Sequence, residues 1–373
     1  MGVKLIKSVD SMLGKPLCIA LGLFGKKSKI VPFQNILIIQ LWGIGETILT
    51  LPSIKALHQL YPHSMITVLC TERNKAVYEG QKSISQVKTV GINVFSLLHF
   101  LLKNYQQFDL VIDFEEYLNI SAIMGLFVGT YRVGYAGQTR SRLYDRKISY
   151  HDQQHVVETH LDLVRLLGIK YHVTNLVPLC YGRKDKEQVQ ELWKNNQLHG
   201  KVIAVAPGAA ESSKSRMWPL SSWISLCRKT LDENPKLHIL LIGDEQEKTI
   251  CSTIKKQAGS KNIVNLAGAT SLKQLFCLLS KVDVVIGNDS GPMHISAAMG
   301  TKTIGLFGPN LPIRWRPFGE GNIALYKGNI CPFSPCINVH KGQVPECLQP
   351  RHNNICMQNI TVEEVYDAVK KIL

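Results

Sequence analysis

At 373 residues with a formal charge of +15, the chain exceeds the size at which one hydrophobic core normally stops growing, so two domains of about 150–200 residues are expected. A content of 45% hydrophobic and 19% charged residues excludes an intrinsically disordered chain. The positive charge invites nucleic acid, but the basic residues are spread out, without a zinc-finger, RRM or KH signature or aromatic-basic alternation. No nucleic-acid partner is therefore expected, and an anionic membrane surface or a phosphorylated, acidic substrate accounts for the charge.

Residues 1–29 hold six lysines and one acid, Asp10, around the apolar core Leu17–Phe24. That core is too short to span a bilayer. It fits a basic amphipathic helix lying in the membrane interface, or a helix docked on the protein itself. From Asn35 the chain reads as a buried strand (Ile36–Leu41), a glycine turn (Gly43–Gly45), a helix (Glu46–Gln59) and a strand (Ile66–Cys70), the opening of a parallel, doubly wound sheet. The turn lacks the third spaced glycine of a dinucleotide fingerprint. Strands are predicted at Leu110–Ile112 and Tyr131–Gly134, and helices at Val94–Lys103, Asn119–Phe127 and His155–Leu167. The irregular stretch from Gly168 to Gly182 reads as the linker.

A second sheet is predicted to start with Lys201–Ala206, followed by Pro207-Gly208, a polar loop and a helix starting near Pro219. Strands Leu237–Ile242 and Ile263–Asn265 alternate with helices Gln246–Gln257 and Leu272–Leu279. The stretch Val282–Gly319 then reads as strand (Val282–Ile286), polar turn (Gly287–Gly291), short helix opened by Pro292 and closed by Gly300, and strand (Thr303–Phe307). Proline at the helix start and glycine past its end follow the usual asymmetry. The first helical turn aims unpaired N–H groups and the positive dipole end at the polar loop, a place for a phosphate. A ligand is expected at the carboxyl ends of the strands, in the cleft between the two sheets.

Ten cysteines occur and no cleavable signal peptide is read, so a reducing cytoplasm is the expected setting. Cys331, Cys336, Cys347 and Cys356 are spaced C-x4-C-x10-C-x8-C, unlike common structural zinc sites. They read either as packing thiols or as a metal or disulfide staple.

The motif NDSGPMHISAAMGTKTIGLFGP, with Arg314 and Pro317–Gly319 behind it, resembles the donor site of the family 9 glycosyltransferases, the lipopolysaccharide heptosyltransferases. ILIIQLWGIGETILTLPSIKALHQLYP resembles that family's opening strand and glycine loop, and VAPGAAESSKSRMWP its third signature. Gly129–Tyr135 and Cys356–Thr361 extend the likeness, which covers the chain from about residue 35 onward. The resemblance implies the GT-B architecture, two Rossmann-like doubly wound parallel-sheet domains facing across a cleft. The expected divisions are an N-terminal segment (1–29), an acceptor domain (30–180), a donor domain (181–355) and a C-terminal helix (356–373).

By the same resemblance the activity is transfer of heptose from ADP-heptose to a lipopolysaccharide inner-core acceptor, with inversion and with no metal or other cofactor. Inversion needs a base for the acceptor hydroxyl and stabilisation of the departing diphosphate. With no D-x-D carboxylate pair in the sequence, backbone dipoles and cations must supply the latter. Asp289, Ser290, Gly291 and His294 are expected to form the donor loop, Asp289 as its organiser. Lys214 and Arg216 compete for the phosphate-binding position before Trp218-Pro219, and Glu247 matches the acid facing the ribose hydroxyls. Glu46 stands where the family typically carries Asp, and its carboxylate reaches one methylene farther; it is the expected base, with Asp113 and Glu115 in reserve.

The acceptor side is expected on the N-terminal domain, at Gly45 and at the cations Arg73 and Arg132, with Lys75, Arg140, Arg142 and Arg146 as further candidates for an anionic lipid-linked saccharide. The basic N-terminal segment would hold the enzyme on the cytoplasmic face of the inner membrane. Two alternatives remain at this point: a heptosyltransferase acting on a polypeptide or other surface glycan, and a non-catalytic, membrane-associated nucleotide-sugar-binding protein, favoured by Glu46 and by Ala209-Ala210.

Overall fold

The computed structural model describes residues 9–23, 33–209, 211–337, 347–350 and 353–373. Its contacts divide the chain into two units, Met1–Val173 and Thr174–Leu373.

The first unit opens with a π-helical turn, Asp10–Gly14, running into α1 (Lys15–Leu23). There follow β1 (Asn35–Ile39), α2 (Ile44–Leu60), β2 (Met65–Cys70), the single turn α3 (Lys75–Tyr78), β3 (Gln86–Thr89) and α4 (Val94–Lys103). The unit is completed by β4 (Phe108–Asp113), α5 (Asn119–Val128), β5 (Gly129–Tyr135), β6 (Arg146–Ile148) and α6 (Val156–Arg165). All six strands are parallel, in the order β3-β2-β1-β4-β5-β6. Strand β1 pairs on both sides, Ile36 with Ile66 and with Leu110. A strand covered on both faces has no solvent side, so its sequence is an unbroken apolar run, and Ile36, Leu37, Ile38 and Ile39 are fully buried.

The second unit repeats the plan. It contains α7 (Arg183–Asn195), β7 (Val202–Ala206), α8 (Leu220–Glu233), β8 (His238–Leu241), α9 (Lys248–Ala258), β9 (Ile263–Asn265) and α10 (Leu272–Leu279). Then come β10 (Val284–Asn288), α11 (Gly291–Ala298), β11 (Lys302–Phe307), the turn α12 (Pro312–Trp315), β12 (Ile323–Tyr326), the turn α13 (Ile355–Gln358) and α14 (Val362–Ile372). The order β12-β11-β10-β7-β8-β9, again all parallel, is the same winding as in the first unit. In each sheet the order reverses between the first strand of the unit and the fourth, β1 beside β4 and β7 beside β10. Loops leaving two such strands diverge and open a crevice, the switch point at which doubly wound sheets bind ligands.

Several elements differ from the sequence reading. Strand β10 runs to Asn288, two residues past the predicted end, because Gly287 keeps the backbone flat against β7: a Cβ there would sit 3.2 Å from the Ala206 Cβ. The edge strands β3, β6 and β12 and helix α7 were not predicted. Only Val189 of α7 is buried, so α7 shows no apolar run, whereas β12 is a short apolar run, Ile323–Tyr326, half-buried at the sheet edge.

The predicted N-terminal segment lies partly outside the described residues, including Lys4, Lys7, Lys26, Lys27 and Lys29. Its described part docks on the protein. Cys18 is buried among Ala122, Ile123, Leu143 and Tyr144, and Asp10 accepts the N–H groups of Asn119 (2.9 Å) and Ile120 (2.8 Å), satisfying two orphan donors at the start of α5. Among the described residues no helix is long and apolar enough to cross a membrane.

Candidate active site

In the first unit, Gly43 precedes α2 with φ +70°, a conformation that L side chains rarely adopt. A Cβ there would also lie 1.7 Å from Oε2 of Glu46. The glycine thus lets the Glu46 carboxylate fold back over the turn, with Gly45 beside it in the same first helical turn.

Strand β4 brings Glu115 under this turn. Its Oε1 accepts N–H groups from Leu41 (2.5 Å) and Trp42 (3.1 Å) and the Gln40 amide (3.3 Å). Glu115 is 2% exposed. Burial first, then the neighbouring Asp113 charge, push its carboxyl up to about 8; the Leu41 N–H opposes, and the Glu46 charge adds to the rise. From the β2 side, Asn74 donates to Gln40 O (3.0 Å) and to the Thr47 hydroxyl (2.8 Å). Glu115 and Asn74 therefore brace the turn that carries Glu46 from both neighbouring strands.

The reserve base Asp113 is fully buried. It is held by Arg140 Nη2 (2.5 Å), the Tyr144 hydroxyl (2.8 Å) and the Ser121 hydroxyl (2.8 Å), while Arg140 Nη1 donates to the Glu115 carbonyl (2.6 Å). Arg140 is thereby a structural cation rather than an acceptor contact. Arg132 is likewise 7% exposed and gives Nε and Nη2 to Asp145, each at 2.8 Å. Of the other first-unit cations, Arg73 is exposed at the carboxyl end of β2, Arg142 and Arg146 are exposed, and Lys75 lies between Glu72 and Glu79.

In the second unit Asn288, the last residue of β10, spans the switch point. Its amide donates to the carbonyls of Pro207 (2.9 Å) and Gly208 (3.1 Å), and its Oδ1 accepts from Trp218 N (3.0 Å). Asp289 is buried, held by Asn310 Nδ2 (2.8 Å). Arg216 Nη1 reaches Asp289 Oδ2 at 3.4 Å and the Asp289 carbonyl at 3.2 Å. Lys214 is exposed. The structure thus attaches Arg216, not Lys214, to the Asp289–Gly291 loop.

Three buried polar atoms around this loop have no hydrogen-bond partner among the described residues: Ser290 Oγ, His294 Nδ1 and Arg216 Nε. Gly291 begins α11 beside them. His294, 3% exposed, is kept neutral, its pKa lowered to about 3 by burial and secondarily by the Arg216 charge.

Glu247 arrives from the next strand. Its Oε2 accepts Asp244 N (2.9 Å), and a Cβ on Gly208 would fall 1.8 Å from its Oε1. The carboxylate therefore lies on the glycine that ends the β7 loop. Its pKa is raised by burial, the Asp244 N–H opposing and the Asp244 charge adding.

The C-terminal segment backs the loop: Trp218 Nε1 donates to Ile360 O (2.8 Å), and a Cβ on Gly308 would meet Cys356 Sγ at 2.7 Å. Cys331, Cys336 and Cys356 are buried free thiols, and Cys347 is half-buried. Among the described residues no group of three or more His, Cys, Asp or Glu side chains is placed to hold a metal ion. Burial, reinforced by the neighbouring Cys331, pushes the Cys356 thiol up to about 11.

The sequence reading did not single out Asn288, Asn310, Asn74 or the bracing role of Glu115. Asn288 ends one apolar strand and Asn310 follows another at the carboxyl end of the sheet, a position that signals a site in this winding.

Residues 95–339 match the model of glycosyltransferase family 9 (heptosyltransferase). The chain belongs to this family. It is 23% identical over 350 residues to the lipopolysaccharide core heptosyltransferase OpsX of Haemophilus influenzae, covering 91% of this chain and 97% of that protein. In structure it is similar to a family 9 glycosyl transferase from Veillonella parvula, with a TM-score of 0.77 at 18% identity over 93% and 99% of the two chains. The ADP-heptose LPS heptosyltransferase II of E. coli aligns with a TM-score of 0.70 at 19% identity, over 91% and 98%. This heptosyltransferase-family enzyme therefore has the two-domain GT-B fold.

Proposed function

We propose that the enzyme transfers heptose from ADP-heptose to a lipid-linked inner-core acceptor of lipopolysaccharide, with inversion and without a metal ion, at the cytoplasmic face of the inner membrane. The observation that carries this reading is the set of orphaned buried atoms, Ser290 Oγ, His294 Nδ1 and Arg216 Nε, at the start of α11. Buried polar atoms without partners are costly unless a ligand completes them, and a helix N-terminus beside a cation suits a diphosphate. OpsX and the E. coli enzyme, by their names, act on this class of donor or acceptor.

In the proposed step the acceptor hydroxyl oxygen forms a bond to the anomeric carbon and its proton passes to Glu46. The bond from that carbon to the diphosphate oxygen breaks, and ADP leaves with the electron pair. Arg216, the α11 N–H groups, Ser290 and neutral His294 stabilise the departing charge, and Glu247 receives the ribose hydroxyls.

The test is transfer of labelled heptose by Glu46→Gln and Glu46→Asp. Removing a general base costs about 10²–10⁴ in rate, so the amide variant should lose at least about a hundredfold in kcat while Glu46→Asp retains activity. Near-normal turnover by Glu46→Gln removes Glu46 from the role. Donor binding with no transfer by the unaltered chain replaces this reading with a binding protein, and transfer to a polypeptide but not to inner-core saccharide changes the acceptor.

A further inference from the structure

Helix α4 carries an apolar stripe with no cover among the described residues. Phe95, Leu98, Leu102 and, just beyond the helix, Tyr105 follow one another at spacings of three and four and so share one face. All are exposed, Phe95 to 86% and Leu102 to 81%. The opposite face does the packing: Phe100 is buried, and Leu97 and Leu101 lie against the β4–α5 core. Helix α5 touches both α4 and α1, and large apolar groups are also exposed on α1, Leu23 at 74%, and on the π-helical turn before it, Met12 at 75%.

Around α4 the chain carries only basic charge. From Gln81 to Phe108 there is no Asp or Glu, while Lys82, Lys88 and Lys103 are present; Lys82, Lys103 and, on α1, Lys15 are exposed. A two-fold pairing of this face with a second copy would bring those lysines toward one another. An anionic lipid surface complements both features, taking the apolar side chains into the headgroup–acyl boundary and the ammonium groups against phosphates.

We propose that α4 and α1 form a membrane-docking face, with the Phe95–Leu98–Leu102 stripe as its inserted part and Lys15, Lys82 and Lys103 on anionic headgroups. The inference rests on the reading that the acceptor is lipid-linked, and it extends the contact from the N-terminal segment, to which α1 belongs, to α4.

The experiment is flotation of the full chain with vesicles of phosphatidylethanolamine and phosphatidylglycerol, and with phosphatidylcholine vesicles. The unaltered chain is expected to float with the anionic vesicles, less so at high salt. The triple variant F95S/L98S/L102S should lose on the order of tenfold or more in partitioning, with melting temperature and transfer to a soluble acceptor fragment unchanged. Phe95→Ser alone should lose several-fold, which keeps the test decisive if the triple variant is unstable.

An unaltered chain that stays soluble overturns the proposal, as does a triple variant that floats equally well. A dimeric unaltered chain made monomeric by the triple substitution assigns the face to a second copy instead. The vesicles contain no glycan, so failure of transfer with intact flotation rejects the reaction alone, and intact transfer without flotation rejects the docking face alone.

Discussion

Glu115 and His294 show how one side chain can shape a site without taking part in bond making. Glu115 Oε1 gathers three donors from residues 40–42, and a protonated carboxyl or an amide oxygen accepts them equally well. Glu115→Gln should therefore keep the turn and the rate, whereas Glu115→Ala orphans buried N–H groups. That loss costs about 1–3 kcal/mol of stability and should lower kcat with little change in donor KM, read from melting and steady-state kinetics together.

The pH dependence follows from the sign of the shift. A carboxyl held at about 8 in the fold and near 4.5 when unfolded binds its proton more tightly in the native state. Its contribution is complete below about 4.5 and is lost as pH rises toward 8. Glu115→Gln should flatten the melting profile in that window, and an unchanged slope would contradict the assignment.

His294 has the opposite sign. Its folded pKa near 3 lies below the ordinary 6.5, so the unfolded chain takes up a proton that the native chain refuses. Stability contributed by the neutral ring is full above about 6.5 and falls as pH drops toward 3, by up to about 1.4 kcal/mol per unit. His294→Gln should reduce that acid sensitivity.

At the scale of elements, the two strand-end glycines are fitted to particular carboxylates. Gly208→Ala sets a Cβ 1.8 Å from Glu247 Oε1, and because Glu247 is half-buried its side chain can swing outward rather than unfold the sheet. The expected result is a stable protein with about tenfold weaker ADP binding, the worth of one to two hydrogen bonds, measured by calorimetric titration. Unchanged affinity would show that Glu247 does not meet the nucleotide.

These fittings also mark how far the sequence could be read. Buried parallel strands such as β1 and β7 announce themselves as unbroken apolar runs, and the glycine turns that follow them locate both switch points. Edge strand β3 and the charged helix α7 have few fully buried side chains, so their patterns carry little signal, and β12 is an apolar run of only four residues. The fate of the arginines was hidden for another reason. Arg140 and Arg132 look like surface cations along the chain, and only the packing that brings up Asp113 and Asp145 shows them to be buried partners. The choice between Lys214 and Arg216 likewise needed the proximity of Asp289, 73 residues away from Arg216.

For the whole molecule, the two units have separate cores. One gathers Leu37, Ile39, Val111 and Met124; the other gathers Ile203, Trp218, Trp223, Ile286 and the C-terminal Val365 and Tyr366. Every residue proposed for the donor diphosphate and ribose, namely Arg216, Glu247, Asp289, Ser290 and His294, belongs to the second unit. ADP should therefore stabilise that unit selectively, by about 2.7 kcal/mol at a hundred times its dissociation constant. In scanning calorimetry the unfolding of the full chain should separate on adding ADP, with one transition moving upward and the other staying in place. Trp218 and Trp223, both buried in the second unit, provide an independent signal, because their fluorescence change should follow the transition that moves. If both transitions rise together, the nucleotide draws on the first unit as well, and the assignment of donor binding to the second unit alone fails.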